Sequence, residues 1–392
     1  MRFLKFQKEI LLKSVAELPS SWRCSTGVLV LAVFVLFLPG CALVPFPRLP
    51  QTKVVYPAHK LHVRYKDFSG VIHVHTYYSQ GTSTGSFDEV LSAARKAQVD
   101  FVIITDHDTL AWLREKEERL YGNVLMMVGT ELSTQAGHLS VFGIKKEIYG
   151  RQDPVRVLSE IQKAKAPSFI NHAQLKVNPW TNWSLVPSIT GMEIFNLAEA
   201  IYDDGMLKIG FKSLVYTSDG LMRSYLDRPD ALLQLWDKVL TERKFVGIGA
   251  TDAHQRYRFL GKALDSYETM FRTVQTHALA NDLSRQAILG AFQKGHVYVG
   301  FDIVKPVRNF IFMGETSKEL VIMGDVVKYK ADLELRVSLP GQGDIHVLKD
   351  GKVWQTAQGS YWESRAEGPG IYRVEVYSHN KLWILSNPIY VR

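Results

Sequence analysis

Imidazoles and carboxylates recur behind short apolar runs from His73 to His254, and any fold of this chain must bring those groups together or leave them at high cost. Gly70-Val71-Ile72-His73-Val74-His75 is the first such segment. The run 101–105 leads into Asp106-His107-Asp108, and the run 124–128 leads to Glu131. His138 follows Gly137, His172 ends Ile170-Asn171, and Asp252 and His254 end Gly249-Ala250-Thr251. Three ionisable groups directly after a buried strand are unfavourable unless paired or metal-bound. Side chains of this kind, converging from successive strand ends, can build a multinuclear metal site. His73 and His75 are two apart on a strand, so they are expected to share one face while Ile72 and Val74 take the other. Asp252 and His254 have the same spacing, and Glu131 can bridge two metals. Taken singly, each motif has an ordinary alternative: polar strand ends, an N-cap or a salt bridge.

Strand and helix signals alternate around these motifs. Ser86 and Glu89 have capping-box spacing ahead of an amphipathic run to Gln98. Asp153-Pro154 opens a second helix, with Asp as N-cap and Pro at the first helical position. A third is expected over 231–244 and a fourth over 283–294, stopped by Gly295. Aliphatic and β-branched runs lie between them at 71–74, 101–105, 124–128, 139–144, 168–170, 192–195, 214–217 and 245–248. Continuous apolar runs suit strands buried on both faces. About seven such β/α units fit a β/α barrel, whose chemistry sits at the C-terminal strand ends. Composition agrees with a folded protein, since 46% apolar and 22% charged residues argue against wholesale disorder.

The first 40 residues read as a targeting segment. Arg2, Lys5, Lys8, Lys13 and Arg23 accompany an apolar run over 28–38, short for a membrane span but suited to the core of a signal peptide. Leu38-Pro39-Gly40-Cys41 resembles a bacterial lipobox, in which Cys41 becomes lipidated; Pro39 and the long stretch before Val28 depart from it. An uncleaved anchor helix running through Val44 is the alternative. Both place the bulk of the protein at the cell envelope, facing the periplasm or exterior, with the membrane as a partner. Pro45, Pro47, Pro50 and Pro57 make 41–62 an extended tether. The other cysteine, Cys24, lies in the segment to be removed. Cleavage would take the net charge from +8 to about +5, a mild excess that favours anionic lipid or acidic substrates. No basic run is interleaved with aromatics, so nucleic acid is not expected as a partner.

Together and in order, the ligand motifs resemble the polymerase and histidinol phosphatase (PHP) superfamily of metal-dependent phosphoesterases, over roughly residues 68 to 300. His73-Val74-His75 is similar to its first motif, Thr105-Asp106-His107 to its second, Asn171-His172-Ala173 to its third and Asp252-Ala253-His254 to its fourth. Glu131 stands in the place of its bridging Glu, and His138 matches a further His ligand of some members. The resemblance implies a distorted seven-stranded β/α barrel and two or three divalent ions (Mn, Fe or Zn) held by His73, His75, His107, Glu131, His138, His172, Asp252 and His254. It also implies attack on phosphorus by a hydroxide bridging the metals, His254 or His172 protonating the leaving oxygen, and Asp106 or Asp108 orienting an imidazole. One departure is Ser79-Gln80-Gly81, where many members carry a ligand Asp at the position of Gln80; two tight metals in place of three are expected.

Lys176 and Asn178, Arg256 and Arg258 follow the third and fourth motifs and can clamp a phosphate; Asn196 can line the pocket. His277 is expected to be structural. His59, His62, His296, His346 and His379 are expected at the surface or in loops, and Trp180, Trp183 and Tyr202 in the core. From about Val307 short alternating runs separated by Pro340-Gly341, Asp350-Gly351 and Pro369-Gly370 read as an antiparallel β-sandwich. The expected organisation is a signal or anchor over 1–40, a tether over 41–62, a metallohydrolase barrel over 63–304 and an all-β domain over 305–392. The leading expectation is an envelope-anchored phosphoesterase acting on a small phosphorylated or ester-type substrate. A carbamate, ester or amide hydrolase on the same site, and a binding module that lost catalysis, are the alternatives.

Overall fold

Strands buried on both faces need partners on both edges, and the central sheet supplies most of them through backbone ladders. The computed structural model describes residues 65–392 except 80, 203–205, 257, 260, 261 and 264. The signal region, Cys41, the tether, His59, His62 and Gln80 therefore lie outside the described residues. The strands are β1 (Lys66–Val74), β2 (Phe101–Ile104), β3 (Arg119–Tyr121), β4 (Val124–Thr134), β5 (Gly137–Phe142), β6 (Ser168–Ile170), β7 (Gly191–Asn196) and β8 (Val246–Ala250), then the short pair β9 (Arg258–Phe259) and β10 (Lys262–Ala263), and β11 (Gln275–Ala280) and β12 (Val297–Gly300). They run in the order β12–β11–β1–β2–β4–β5–β6–β7–β8. The pairs β1–β2, β2–β4, β6–β7 and β7–β8 are parallel; β5 and β11 run against their neighbours. Every residue of β2, β7 and β8 is buried.

The expected closed barrel is not what the sheet forms, because no ladder joins β8 to β1. Asp252, at φ 51°, takes the chain out of extended conformation just past β8. Contact is made beyond the strand instead: Thr251 donates to Ile72 O at 3.3 Å, Ala253 to His73 O at 3.2 Å, and His75 to Ala253 O at 3.0 Å. Two side chains satisfy the open edge of β8. Asn387 accepts from Gly247 N at 2.8 Å and donates to Gly247 O at 2.7 Å. Thr276 Oγ1 accepts from Gly249 N at 2.9 Å and donates to Gly249 O at 2.7 Å. Buried backbone groups without a partner are costly, so these bonds replace the missing strand.

The helices start and stop largely as their caps dictate. In α1 (Phe87–Lys96) the Ser86–Glu89 capping box is formed on both sides. The short α2 (Trp112–Glu115) follows β2, and α3 (Pro154–Ala164) is capped by Asp153. The segment 214–217, expected as a strand, is not one. After α4 (Leu197–Tyr202), α5 (Met206–Val215) ends within it, and the Thr217 hydroxyl caps α6 (Ser218–Arg223) by accepting from Gly220 N. Then come α7 (Asp230–Glu242), α8 (Tyr267–Thr273) and α9 (Arg285–Lys294), the last closed by Gly295 at φ 80°.

Most C-terminal ladders are antiparallel as expected, but Val326–Val327 pairs in parallel with Ile389–Val391, and the strands do not form two separate stacked sheets. They are β13 (Ile311–Glu315), β14 (Leu320–Ile322), β15 (Val326–Val327), β16 (Glu334–Lys349), β17 (Lys352–Arg365), β18 (Gly370–Ser378), β19 (Lys381–Ser386) and β20 (Ile389–Val391). The long β16–β17 hairpin shifts register between Ser338 and Gly343, so one half of β16 pairs with β13 and the other with β18. β19 then pairs with β12 and makes the C-terminal strands continuous with the central sheet. Leu382, Leu385 and Tyr390 share one core cluster with Val71, Val74 and Trp236. Buried Arg373 of β18 is bidentate to Asp237 of α7 and also reaches Glu375, which Arg228 holds in turn. Burial opposes ionisation of Glu375, but Arg228, Arg373 and the Tyr377 hydroxyl outweigh it and take its carboxyl down to about 2.

His277 is structural, as expected. It is fully buried, with Nδ1 2.9 Å from Asp67 Oδ1 and Nε2 3.5 Å from Asp302 Oδ2, while Tyr298 donates to Asp67 Oδ2 at 2.6 Å. Burial alone would lower its pKa; Asp67 and Asp302 outweigh it and raise the imidazole from 6.5 to about 9. A raised folded value means the stabilisation is complete below about pH 6.5 and is lost as pH rises through about 9. Denaturant unfolding across that window is therefore expected to lose up to about 3 kcal/mol that the His277→Gln variant does not lose. Parallel pH profiles for the two proteins would overturn the assignment.

Candidate metal centre

Glu131 lies within β4 rather than at its end and is 1% exposed. A carboxylate there must be surrounded by positive charge or donors. Its Oε2 lies 3.3 Å from His73 Nε2, 3.2 Å from His75 Nε2 and 3.0 Å from His107 Nδ1. Its Oε1 lies 2.9 Å from His138 Nδ1 and 3.1 Å from His172 Nε2. Asp252 Oδ1 is 3.4 Å from His73 Nε2, 3.3 Å from His75 Nε2 and 3.4 Å from His254 Nδ1. The fold thus brings together all eight expected ligands, from β1, β4, β5 and the segments that follow β1, β2, β6 and β8.

The backbone is bent to achieve this. His73, His172 and Asp252 have φ of 57°, 28° and 51°, a region that residues other than glycine rarely occupy and that clusters at functional sites. At His73 the β1–β2 register shifts, so simple alternation fails. Ile72 and Val74, expected on one face, fall in different core clusters. The bulge still turns both imidazoles into the site, with ring centroids 5.0 Å apart.

Partners behind the imidazoles fix their tautomers. Glu193 Oε1 is 2.6 Å from His73 Nδ1, and Ser79 Oγ, which donates to Asp106, is 2.9 Å from His75 Nδ1. His254 Nδ1 is 2.8 Å from the Asp252 carbonyl. In each case the outer nitrogen carries a proton, so Nε2 is the inward-facing atom that a metal ion would take. Burial and the neighbouring His75 take the His254 pKa down to about 3, so this imidazole is neutral, in a ligand's form rather than a proton donor's.

Ions fit this donor set. His75 Nε2 and His107 Nδ1 are buried and, despite their short approaches to Glu131, make no hydrogen bond. They aim at a shared volume rather than at an acceptor. The ligand atoms of His75, His107 and His254, of His73, His75 and Glu131, and of His107, Glu131 and His138 lie within 4.8 Å of one another. Imidazole and carboxylate donors so placed suit Zn, Fe or Mn. Burial opposes charge on Glu131 and Asp252, but the surrounding imidazoles hold both carboxyls well below their usual range. Conversely the two carboxylates, against burial, raise His73 and His75 and take His172 to about 9. The cluster calls for cationic charge, which a divalent ion supplies.

The remaining expected residues divide. Asp106 accepts from Thr76 N and Oγ1, both at 2.6 Å, and from Ser79 Oγ at 2.7 Å, so it positions His75 through Ser79. Asp108 does not orient an imidazole: it accepts from Ser133 N at 2.9 Å and anchors β4 beyond Glu131. Asn196 is buried and supports the site, donating to Glu193 Oε2 at 2.8 Å and accepting from Glu199 N at 2.9 Å. Lys176 is exposed in the loop after His172, and Arg256 is half-buried two residues past His254. The side chain of Arg258 lies outside the described residues. Trp180 is in the core but Tyr202 is exposed, and His296, expected at the surface, is buried against Asp325. Sequence reading missed Glu193, although a lone carboxylate inside Met192-Glu193-Ile194-Phe195 was a visible sign.

No protein-family model and no curated protein matches the chain. Among solved structures it is similar to a two-domain protein from Bacteroides vulgatus containing a predicted PHP-like metal-dependent phosphoesterase, at 15% identity and a TM-score of 0.44, over 83% of this chain and 95% of that one. It is also similar to a protein from Bifidobacterium adolescentis designated a metal-dependent phosphoesterase, at 14% identity and a TM-score of 0.34, over 51% of this chain and 93% of that one.

The Glu193→Gln variant is expected to bind metal roughly 10- to 100-fold more weakly, because the weaker acceptor loosens His73. Titration with Zn or Mn followed by calorimetry reads this directly, and unchanged affinity would mean that Glu193 serves packing alone. Asp108→Asn is expected to keep metal content and lose about 1 kcal/mol of stability; depletion of metal in that variant would put Asp108 back in the centre.

Proposed function

We propose that this chain is a metal-dependent hydrolase of the PHP type, acting on phosphoric esters. The observation that carries the reading is Glu131, whose two carboxylate oxygens each face imidazoles from different elements, the disposition of a bridging ligand. His73, His75 and Asp252 would hold ions on one side of it, with His254 beside them, and His138 and His172 on the other; His107 reaches the first side. Bound there, divalent ions lower the pKa of a water and neutralise charge on phosphate oxygens. The chain's own residues do the rest. Glu193, Ser79 and the Asp252 carbonyl keep three imidazoles in the liganding tautomer. The buried frame excludes bulk water and strengthens each electrostatic contact.

Charge favours a phosphoric ester over a neutral carbamate or amide. Among the ligands themselves, Glu131 and Asp252 against two divalent ions would leave positive charge that attracts an anion, an excess that Glu193 and Asp106 behind the imidazoles reduce. Lys176, Arg256 and Arg258, in the segments just past His172 and His254, are the cations assigned to hold the phosphate.

We also assign the protein to the cell envelope, lipid-anchored through Cys41 and facing outward. The basic start, the apolar run over 28–38 and Leu38-Pro39-Gly40-Cys41 support this reading. Among the described residues no helix is long and apolar enough to cross a membrane.

The full chain purified without chelators is expected to retain two or three transition-metal ions and to hydrolyse p-nitrophenyl phosphate in preference to a p-nitrophenyl carbamate. Chelation should abolish turnover and re-addition of Mn, Fe or Zn restore it. Faster carbamate turnover would shift the assignment to the alternative hydrolase. A chain that neither retains nor takes up metal would be a binding module. Cys41→Ser is expected to move the protein out of the membrane fraction; unchanged fractionation would leave the lipid anchor without support.

A further inference from the structure

Helix α5 presents an unusual surface. Phe211 and Val215 are 63% and 66% exposed, and Tyr216, just past the helix, is 50% exposed. Phe211 and Val215 are four apart and so share a face. Lys208 and Lys212 repeat that spacing one position round the helix. A single exposed apolar side chain is ordinary. Three at one helix end, flanked by two lysines, form the pattern of a helix lying at a lipid–water boundary, with aliphatic and aromatic groups below and cations at headgroup level.

The neighbourhood extends the pattern. Lys208 and Lys212 line a cavity of about 370 Å³ whose wall also includes Gln174 and Asn196. Gln174 belongs to the loop after His172, and that loop also exposes Val177, at 84%. Asn196 donates to Glu193, which holds His73, so the cavity adjoins the polar support of the metal centre. The cavity wall has three carboxylates, Glu199, Asp227 and Asp230; the last two are paired with Lys381 and Arg228, which reduces their repulsion of an anionic surface.

We propose that the outward face of α5 docks on an anionic phospholipid bilayer, with the α5 cavity opening toward the headgroups. A bilayer is favoured over a protein partner because lysines beside apolar groups complement phosphate headgroups above acyl chains. The amino-terminal sequence is also membrane-directed. The 23 residues from Ala42 to Arg64 can span roughly 75 Å when extended, enough to let the folded part reach the surface. This inference is independent of the hydrolase reading, since it concerns where the chain sits and not what it cleaves.

The test is hydrogen exchange on the full chain, read by mass spectrometry, with phosphatidylcholine vesicles alone or containing about one-third phosphatidylglycerol. Exchange over 206–217 is expected to slow about tenfold with the anionic vesicles and less with the neutral ones. The Phe211→Asp, Val215→Asp variant should lose that protection while exchange in the central sheet stays unchanged, which reports an intact fold. Lys208→Gln with Lys212→Gln, which keeps the apolar face, should lose the preference for anionic over neutral vesicles. Three results would each overturn the proposal: no slowing over 206–217 with anionic vesicles even when the chain binds them elsewhere, slowing that survives the aspartate variant, or equal slowing without vesicles at high protein concentration, which would mark a contact between copies. Metal content measured on the same samples separates this outcome from the fate of the hydrolase assignment.

Discussion

A single buried carboxylate organises this molecule. Glu131 sits inside the sheet, where burial strongly opposes its charge, and it persists as an anion because imidazoles approach both of its oxygens. Those imidazoles come from strands far apart in sequence. Each in turn needs its backbone turned inward, and three of the ligands stand at positive φ to do so. Hydrogen bonds offset that strain: Glu193 accepts at His73 and from the His172 amide, Ser79 and Asp106 stand behind His75, and Asn171 donates to Glu131 at 2.9 Å. A strained backbone persists only where its surroundings over-determine it, and here the rings of His73, His75 and His254 are each held from behind.

Much of the site was legible in the sequence because its ligands come in short runs with a clear physical signature. His73 and His75, Asp252 and His254 are local pairs, and Asp106-His107-Asp108 places charge where an apolar strand has just ended. Glu193 escaped notice because its partners, His73 and the His172 amide, are far away in the chain and nothing nearby announces them. Asn196 was visible, but its hydrogen bond to Glu193 was not, for the same reason. Asp108 resembled a site residue by adjacency, yet its left-handed φ sends its carboxylate to Ser133 instead.

The fold was legible in its elements more than in its closure. Capping residues placed α1, α3 and α9, since a cap is a local interaction. The segment 214–217 misled because β-branched and aliphatic residues suit either state when short, and the Thr217 hydroxyl decided for a helix start. Whether a sheet closes depends on contacts between residues far apart in the chain, such as Asn387 against Gly247, 140 positions away, and no local pattern encodes them. The same is true of the hinge in β16, which splits its pairing between two neighbours.

The amide of Asn387 has a wider meaning. A strand with an unsatisfied edge invites pairing with another chain, and β8 is guarded there not by a strand but by the side chains of Asn387 and Thr276. The strand so guarded leads directly into Asp252 and His254. The metal centre therefore depends on two side chains that touch no ligand: without the Asn387 amide and the Thr276 hydroxyl, β8 would have a sticky edge and the ligands beyond it would lose their fixed place.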